Sequence, residues 1–531
     1  MYLRHLSLYS KAETYPPSIV KNLILSLVLL GSTALVAPAR AQSYQPPVFT
    51  DEARINKIEA LFPVIDQLFE EYGDKNHFPG YTYGLVVDGK LVHTNSKGVA
   101  NVDKKTPATT QSLFRVASMS KSFTTMAILQ LRDAGKLSLD DRADTYIPEM
   151  KSLKLLTTDS PPITLRHLMT HAAGFPEDNP WGDRQLDATN QELLTLIKSQ
   201  VSFSNAPGVT YEYSNLGVTL LGYIIEKVSG KSYQQYITEN ILLPLGMTHS
   251  KWEYSEVPAA QLALGYQWNE GTWTSVPLLH DGAYGAMGGL ISSIEDYAKY
   301  MAFHMAAWPP RDETDNGPLQ RSSLREMHHP WNISGMNPDF TYPSGRHCGI
   351  VSAYCYGLGW LRDCEGREYV GHSGGLPGFG SNWRFLPEYG IGIVSFANRT
   401  YAPMTPINLQ VLDTLIVKAG LKPRQLPASA ILVQRQKELT QLLPDFKNAE
   451  STGLFADNFF DDYSIDAVTK ETKALFEKAG RITQVKAIVP ENQLRGTYIL
   501  EGEKADLAVT LTLSPENKPL IQSYRIQEVE K

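Results

Sequence analysis

Strand patterns lie near both ends of one long segment of this chain, and helical patterns fill the stretch between them. Residues 81–87 and 90–96 alternate around the turn Asp88-Gly89, which predicts a β-hairpin. Further strands are predicted at residues 369–371, 382–387 and 391–397. This order predicts one sheet closed by both ends of the segment, with a helical insert between them.

Apolar residues at helical spacing predict helices between and beside these strands. The predicted helices cover residues 51–72, 119–134, 191–201, 216–228 and 406–418. The helix over residues 119–134 is apolar on nearly every side, which indicates that it is buried.

The pattern changes after residues 422–427, whose two prolines indicate a linker. Beyond it, helices over residues 428–443 and 466–480 precede strands at 482–489, 494–501, 506–513 and 521–527. We therefore predict two folded domains, residues 42–421 and a small α+β domain over residues 428–531. We expect a binding or packing role for the second domain, because it holds no cluster of catalytic side chains.

Residues 1–41 have the features of a secretory signal peptide. Lys21 precedes an apolar run over residues 23–36, and Ala39-Arg40-Ala41 fits the small-x-small cleavage pattern. The run is short for a membrane span, and an uncleaved anchor helix is the alternative. We expect a periplasmic or secreted protein with no stable membrane span once the signal is removed. The sequence sets no oligomeric state.

Charge and cysteine content exclude several classes of protein. The net charge is −7 at pH 7, and removing residues 1–41 takes away four basic residues and one acidic residue, which leaves −10. That balance gives no reason to expect a nucleic acid or an anionic membrane as partner. Three cysteines are too few for a disulfide framework or a four-thiolate zinc site. In an oxidising compartment Cys348 and Cys355 could pair and leave Cys364 over, and three unpaired thiols is the alternative.

One apparent nucleophile motif fails on residue order. Gly371-His372-Ser373-Gly374-Gly375 matches G-x-S-x-G, the nucleophile turn of α/β-hydrolases. That fold needs a catalytic histidine after the serine, and His372 is the last histidine in the chain. We therefore do not assign Ser373 as a nucleophile.

A second serine has a base within reach. Ser118 and Lys121 lie three residues apart where a polar run enters the predicted buried helix, so they share one face. A lysine among apolar neighbours has a lowered pKa and can activate a serine hydroxyl, which is a weak nucleophile alone. The helix N-terminus also favours negative charge on the serine oxygen. Taken alone, the spacing fits a helix-capping serine as well.

Two further segments supply groups suited to acyl transfer. Tyr213 and Asn215 are two residues apart in a stretch predicted to be extended, so their side chains point the same way. A phenol beside an ammonium can relay a proton, and an asparagine amide can hold both Lys121 and a substrate carbonyl. Gly374 and Gly375 let the backbone approach a ligand, and free N–H groups there can stabilise an oxyanion. A core tyrosine with a turn asparagine is the alternative.

Three short motifs in this order resemble the signatures of the serine β-lactamase and penicillin-recognising superfamily. The motifs are Ser118-x-x-Lys121, Tyr213-Ser214-Asn215 and His372-Ser373-Gly374. The resemblance covers about residues 53–418 and is to the class C-like branch, which includes esterases and D-stereospecific peptidases. It implies an α/β (α+β) fold in which helices flank an antiparallel sheet, plus a helical subdomain. The C-terminal domain resembles the cystatin-like α+β modules attached to some members.

The resemblance also implies a role for each motif residue. The implied roles are acylated nucleophile for Ser118, proton handling for Lys121 and Tyr213, substrate positioning for Asn215, and lining of the substrate cleft for His372, Ser373 and Gly374. The N–H groups of Ser118 and Gly375 would form the oxyanion hole. The expected substrate is a small ester, amide or peptide, and we expect neither a metal nor another cofactor.

One residue departs from the pattern of the antibiotic-cleaving members. Those of this branch usually carry Lys-Thr-Gly as the third motif, where the lysine supplies a fixed positive charge for the carboxylate of the antibiotic. This chain has His372, which is largely neutral at pH 7, and esterases and peptidases of the family often show the same replacement. We therefore expect simple esters or amides without a carboxylate to be cleaved better than β-lactams.

The other histidines give weaker signals. His167 and His171 have the i, i+4 spacing of two zinc ligands, but no glutamate lies between them, and the resemblance places them as structural residues before a turn. His328, His329 and His347 show no ligand spacing, and we expect them in solvated loops.

Three functions follow from these patterns. The first is an exported serine hydrolase that cleaves ester or peptide bonds through an acyl-enzyme on Ser118. The second is a β-lactamase or penicillin-binding cell-wall D,D-peptidase on the same fold. The third is a non-catalytic binding protein, which the intact serine, lysine and tyrosine argue against.

Overall fold

The computed structural model describes residues 44–529, so the predicted signal peptide lies outside the described residues. In chain order the α-helices are α1 Arg54–Glu59, α2 Phe62–Lys75, α3 Lys121–Asp133, α4 Ala143–Tyr146, α5 Leu165–Met169, α6 Asn179–Gly182, α7 Asn190–Lys198, α8 Asn215–Ser229, α9 Tyr233–Ile237, α10 Gly285–Gly288, α11 Ile294–Met305, α12 Arg321–Met327, α13 Met404–Lys418, α14 Ala430–Leu442, α15 Phe459–Asp462 and α16 Ile465–Ala479. A 3₁₀ turn at Ala117–Ser120 leads into α3.

The strands are β1 Gly80–Val87, β2 Lys90–Asn101, β3 Thr106–Pro107, β4 Phe114–Arg115, β5 Tyr266–Asn269, β6 Thr272–Ser275, β7 Ile291–Ser292, β8 Asn332–Asn337, β9 Ile350–Tyr354, β10 Gly359–Asp363, β11 Glu368–Leu376, β12 Phe379–Leu386, β13 Ile391–Ala397, β14 Ile482–Val485, β15 Val489–Asn492, β16 Arg495–Gly502, β17 Asp506–Leu513 and β18 Ile521–Val529.

Nine strands form one antiparallel sheet in the order β3-β2-β1-β13-β12-β11-β10-β9-β8. The N-terminal hairpin joins the last strand of the segment, because β1 pairs with β13 in a register that sets Tyr81 opposite Ala397. The sheet is therefore closed by strands from the two ends of the segment, as the sequence predicted. The turn at Ala117–Ser120 lies against β11, although more than 250 positions separate Ser118 from His372.

Helices cover both faces of this sheet and bury two apolar cores. On one face α13 packs against β12 and β13 while α2 packs against α13 and β2, around residues such as Phe69 and Leu412. On the other face lie α11 and the helical subdomain, in which α3 packs along α8 around residues such as Phe123 and Leu220. The buried helix predicted over residues 119–134 is thus α3, and it carries the candidate catalytic lysine into the core.

The C-terminal residues form a sheet-rich α+β domain with a core of its own. The strands pair in the order β14-β16-β17-β18, with β15 also pairing with β16. Helices α14 and α16 pack on this sheet through residues such as Leu439 and Val468. Alternation along β17 buries Leu507, Val509 and Leu511, because successive side chains of a strand point to opposite faces.

Several predicted elements have different bounds in the structure. The helix predicted over residues 51–72 is two helices, α1 and α2, and Pro63 lies in the first turn of α2, where its missing N–H is not needed. The strand predicted over residues 482–489 is split into β14 and β15. Strands β8 to β10 were not predicted, because their short sequences show no clear alternation of apolar and polar residues.

The disulfide joins Cys348 to Cys364, so both alternatives left open by the sequence, a Cys348–Cys355 pair and three unpaired thiols, are wrong. The reason is the pairing of β9 with β10, which sets Ile350 opposite Asp363. Cys348 stands just before β9 and Cys364 just after β10, so their Cα atoms lie 5.5 Å apart. Cys355 is a buried free thiol.

Within residues 44–529, every helix falls short of the length or the apolar character that crossing a bilayer requires.

Candidate active site

Ser118 lies in the 3₁₀ turn that leads into α3, and this turn is tightly held. Ala117 has a φ of +54°, a left-handed conformation that costs a non-glycine residue roughly 1–2 kcal/mol. Hydrogen bonds fix the turn: Ser381 Oγ donates to Val116 O at 2.7 Å, and Ser120 Oγ donates to Ala117 O at 2.7 Å. Strain held by neighbouring structure is typical of catalytic positions.

Lys121 is the first residue of α3 and is fully buried. Its ammonium donates to Ser118 Oγ at 2.9 Å, to Asn215 Oδ1 at 2.7 Å and to Met287 O at 2.9 Å. Burial lowers the pKa of Lys121 to about 7, although the charge of Asp183 opposes the fall. Near neutral pH the amine can therefore lose the proton that points at Ser118 and accept the serine proton instead.

Tyr213 lies beside this pair as a neutral phenol. Burial raises the pKa of Tyr213 well above its ordinary value, and the Ser118 hydroxyl opposes the rise. The Lys121 nitrogen is 5.1 Å from the centre of the Tyr213 ring, and the His171 ring packs on that ring at 4.3 Å. A phenol that keeps its proton is suited to passing it to a leaving group, while Lys121 acts as the base.

Asn215 is the first residue of α8, so the extended stretch predicted across it ends at the residue before. Its side chain reaches Lys121 nevertheless, while its Nδ2 donates to Asn179 Oδ1 at 3.1 Å. The carboxylate of Asp178 accepts the N–H groups of Asn215 and Leu216 at 2.6 and 2.9 Å, which satisfies the helix N-terminus. Asn215 therefore positions Lys121 in this structure.

The third motif lies on β11, just beyond the point where its pairing with the neighbouring strand β10 ends. Strand β10 pairs with β11 only as far as Gly371, so the edge of β11 beyond it is unpaired on that side. His372 Nδ1 donates to Ser373 O and its Nε2 accepts from Tyr354 OH at 3.0 Å. Burial, with the charge of Lys121, lowers the pKa of His372 to about 3, so the ring is neutral near pH 7.

The two glycines of this strand permit close packing. A side chain on Gly374 would collide with Val116 O and Ser381 Oγ, which hold the turn before Ser118. A Cβ on Gly375 would lie 2.8 Å from the ring of Tyr401. Gly375 and Ser118 line one cavity of about 530 Å³, which is where the oxyanion hole is predicted.

The structure therefore brings the three sequence motifs to one cavity. Of the predicted residues, this cavity is lined by Ser118, Tyr213, His372, Ser373 and Gly375. Lys121 and Asn215 lie behind Ser118, and Gly374 lies against the turn that carries it. Ser373 is exposed in this cavity, and no base within residues 44–529 is hydrogen-bonded to its hydroxyl.

Two charged residues of the cavity were not identified from the sequence. Arg384, on β12 opposite Gly371, lines the cavity, and its Nε is buried without a hydrogen-bond partner in the described part of the chain. Burial lowers the pKa of Arg384, and no carboxylate pairs with it within residues 44–529. Asp183, after α6, also lines the cavity. Neither residue belongs to a local motif, because only the pairing of distant segments brings them there.

The remaining histidines are placed by hydrogen bonds. His171 accepts from Ser214 N at 3.1 Å, which fixes the tyrosine–asparagine segment behind the site, and His167 takes part in the capping of α5. His328 was expected in a solvated loop, and this is wrong: it is buried against His304 and accepts a hydrogen bond from Trp308 Nε1 at 2.9 Å. His329 and His347 are exposed.

Known sequences match most of this chain. The family model described as Beta-lactamase matches residues 65–416. Protein flp of Staphylococcus aureus (strain COL) is 29% identical over 360 residues, which are 66% of this chain and 66% of that protein, just under two thirds of its length. Beta-lactamase-like protein 2 of Dictyostelium discoideum is 25% identical over 508 residues, or 88% of this chain and 87% of that protein.

Two solved structures share the fold. An octameric penicillin-binding protein homologue from Pyrococcus abyssi is 23% identical with a TM-score of 0.55, and covers 87% of this chain and 99% of its own. A class C beta-lactamase is 23% identical with a TM-score of 0.54, and covers 67% of this chain and 96% of its own. Since the family model spans well over half of the residues and its fold is the one found here, the chain belongs to the beta-lactamase family of serine hydrolases.

Proposed function

We propose that this chain is an exported serine hydrolase that forms an acyl-enzyme on Ser118 and cleaves ester or peptide bonds of small substrates. The observation that supports it most is the buried Lys121 amine, 2.9 Å from Ser118 Oγ and held there by Asn215 and Met287. A base of lowered pKa on the hydroxyl is what nucleophilic catalysis by serine requires.

The reaction has two half-reactions. In the first, Ser118 Oγ bonds to the substrate carbonyl carbon while its proton passes to neutral Lys121. The bond to the leaving group then breaks, and Tyr213 gives that group its proton and regains one from the Lys121 ammonium. In the second, water bonds to the acyl carbon, its proton leaves through the same two groups, and Ser118 regains its hydrogen as the carboxylic acid departs. Overall, substrate and water give an acid and an alcohol or amine.

Export is supported by the predicted signal peptide and by the Cys348–Cys364 disulfide, because disulfides persist in oxidising compartments. We expect N-terminal sequencing of the mature protein to start at Gln42, just after the predicted cleavage site. A protein that keeps Met1 and stays in the cytoplasmic fraction would contradict export.

A second candidate is a β-lactamase or penicillin-binding peptidase, and Arg384 favours it. His372 replaces the lysine of the third motif, but Arg384 supplies a fixed cation in the same cavity. A guanidinium binds a carboxylate through two parallel hydrogen bonds, so this arginine can hold an acidic substrate. The expectation that esters are preferred over β-lactams stays a prediction.

Steady-state kinetics with p-nitrophenyl butyrate and nitrocefin separates the candidates. We expect the ester to be the better substrate of the wild type by kcat/KM. Arg384→Ala should lower kcat/KM for nitrocefin relative to the ester by at least about tenfold, the scale of a hydrogen bond to a charged group. Arg362→Ala, which removes an exposed arginine of β10 outside the cavity, should leave the ratio unchanged.

Rapid nitrocefin hydrolysis with negligible esterase activity would favour the second candidate. If Arg384→Ala lowered kcat/KM equally for both substrates, the arginine would stabilise the fold and would not bind a substrate carboxylate. A wild type that turns over neither these substrates nor D- and L-aminoacyl amides would favour a non-catalytic binding protein.

A further inference from the structure

Asp183 is a buried carboxyl group that leaves one oxygen unused. It is 1% exposed, and Tyr401 OH donates to its Oδ2 at 2.9 Å. Its Oδ1 is buried and has no hydrogen-bond partner within residues 44–529. A buried carboxylate oxygen without a donor costs stability, so a native protein that keeps one has a reason to do so.

The neighbouring Asp178 shows what a structural carboxylate looks like here. Both of its oxygens accept backbone N–H groups at the start of α8, from Asn215 and Leu216. The charges of Asp178 and Asp183 both act on Lys121, but neither carboxylate accepts a hydrogen bond from it, since the ammonium has three other acceptors. Asp183 therefore differs from Asp178 in one respect: one of its oxygens accepts no hydrogen bond within residues 44–529, and the residue itself lines the cavity.

Asp183 is one of the residues that line the active-site cavity. Tyr401, which bonds to it, packs against Gly375, and Gly375 lines the cavity together with Ser118. Arg384 lies opposite Gly371 on the neighbouring strand. Gly371 and Gly375 are four residues apart along β11, which is about 13 Å at the usual rise of a strand. The cavity that holds the nucleophile is thus lined by one acidic and one basic side chain, Asp183 and Arg384.

The place of Asp183 in this cavity limits where a charged group of the ligand can bind. Asp183 lines the same cavity as Ser118, and its charge raises the pKa of Lys121, so the carboxylate belongs to the site that holds the reacting atoms. In an amino acid derivative the amino group is one carbon away from the reacting carbonyl carbon. A carboxylate in the same cavity as the nucleophile matches an ammonium at that position, and a charge-assisted hydrogen bond would satisfy the unused oxygen.

We propose that Asp183 binds the free amino group of the substrate, so that the substrates are amino acid esters, amino acid amides or short peptides with an unblocked amino terminus. The proposal rests on the proposed function and names its substrate class.

Paired substrates test the proposal in the full mature protein. Alanine p-nitroanilide carries the ammonium and N-acetylalanine p-nitroanilide lacks it, and both D and L forms are measured. In the wild type we expect kcat/KM for the free amine to exceed that for the acetylated substrate by at least about tenfold, as for a charged hydrogen bond. Asp183→Asn, which keeps the size and an acceptor for Tyr401, should bring this ratio close to one.

The ratio separates recognition of the substrate from an effect on the base. If Asp183 acted only on the pKa of Lys121, Asp183→Asn would change kcat/KM equally for both substrates. The ratio of the two values would then stay as in the wild type, which would overturn the proposal. Asp178→Asn is the matched control, because it removes a charge that also acts on Lys121 from a carboxylate with no unused oxygen. We expect it to leave the ratio as in the wild type.

Binding without turnover tests the site independently of the reaction. In Ser118→Ala, calorimetry should show alaninamide binding at least about tenfold more tightly than the uncharged propionamide. The preference should disappear in Ser118→Ala with Asp183→Asn. Equal binding of both amides would overturn the proposal even if the enzyme hydrolyses simple esters. A preference for alaninamide in a protein without hydrolase activity would support the site and contradict the proposed function alone.

Discussion

Replacing Ser118 by alanine should abolish turnover of every ester, amide and β-lactam substrate and leave the fold intact. The reaction needs this one hydroxyl, so we expect kcat to fall at least about 10⁴-fold, as for loss of the nucleophile in other serine hydrolases. The fold should persist because Lys121 keeps two acceptors, Asn215 Oδ1 and Met287 O. Kinetics and thermal unfolding of the same preparation check both parts.

Ser373→Ala is the matched control, since Ser373 belongs to the G-x-S-x-G motif and lines the same cavity without a base. The Ser373→Ala variant should still be acylated on Ser118. A serine-reactive fluorophosphonate should label Ser118 in the wild type and in Ser373→Ala, and mass spectrometry locates the adduct. An adduct on Ser373 would mean that the nucleophile has been assigned to the wrong serine.

Lys121→Ala and Tyr213→Phe should each lower kcat by at least about 10²-fold, the scale of general acid–base catalysis. Both groups handle the same proton, so the double variant should lose far less than the product of the two single losses. Tyr213→Phe keeps the ring contact with His171 and removes only the hydroxyl. A double variant whose loss equals the product would contradict a shared proton path.

The pH profile adds a signature that a merely structural lysine would not give. The pKa of Lys121 is lowered to about 7 by burial, and only the neutral amine is a base, so wild-type kcat/KM should rise as the pH passes this value and level off above it. Lys121→Met fills the same space without the amine and should lose this rise. p-Nitrophenyl butyrate between pH 5.5 and 9 gives the profile, and an unchanged rise in Lys121→Met would exclude Lys121 as its source.

The sequence alone determined much of the fold and the identity of the reacting groups. Clear local patterns mark the β1–β2 hairpin, β13, α3 and α8. Turn residues and a regular hydrophobic period can both be recognised without tertiary information. Ser118 and Lys121 could be paired from spacing, since three residues at the start of a helix bring two side chains together. The order of the three motifs then predicted the family and the antiparallel sheet.

Only the tertiary structure decided which distant residues share the cavity. Arg384 and Asp183 reach it through the pairing of β12 with β11 and through the contact of Tyr401 with Gly375, and no local pattern encodes either contact. The same reason explains the disulfide, because the pairing of β9 with β10 brings Cys364 to Cys348 across sixteen positions and leaves the nearer Cys355 apart. Periodicity reports which face of an element is buried, but the partner of that face is set by packing and strand register, which depend on the whole chain.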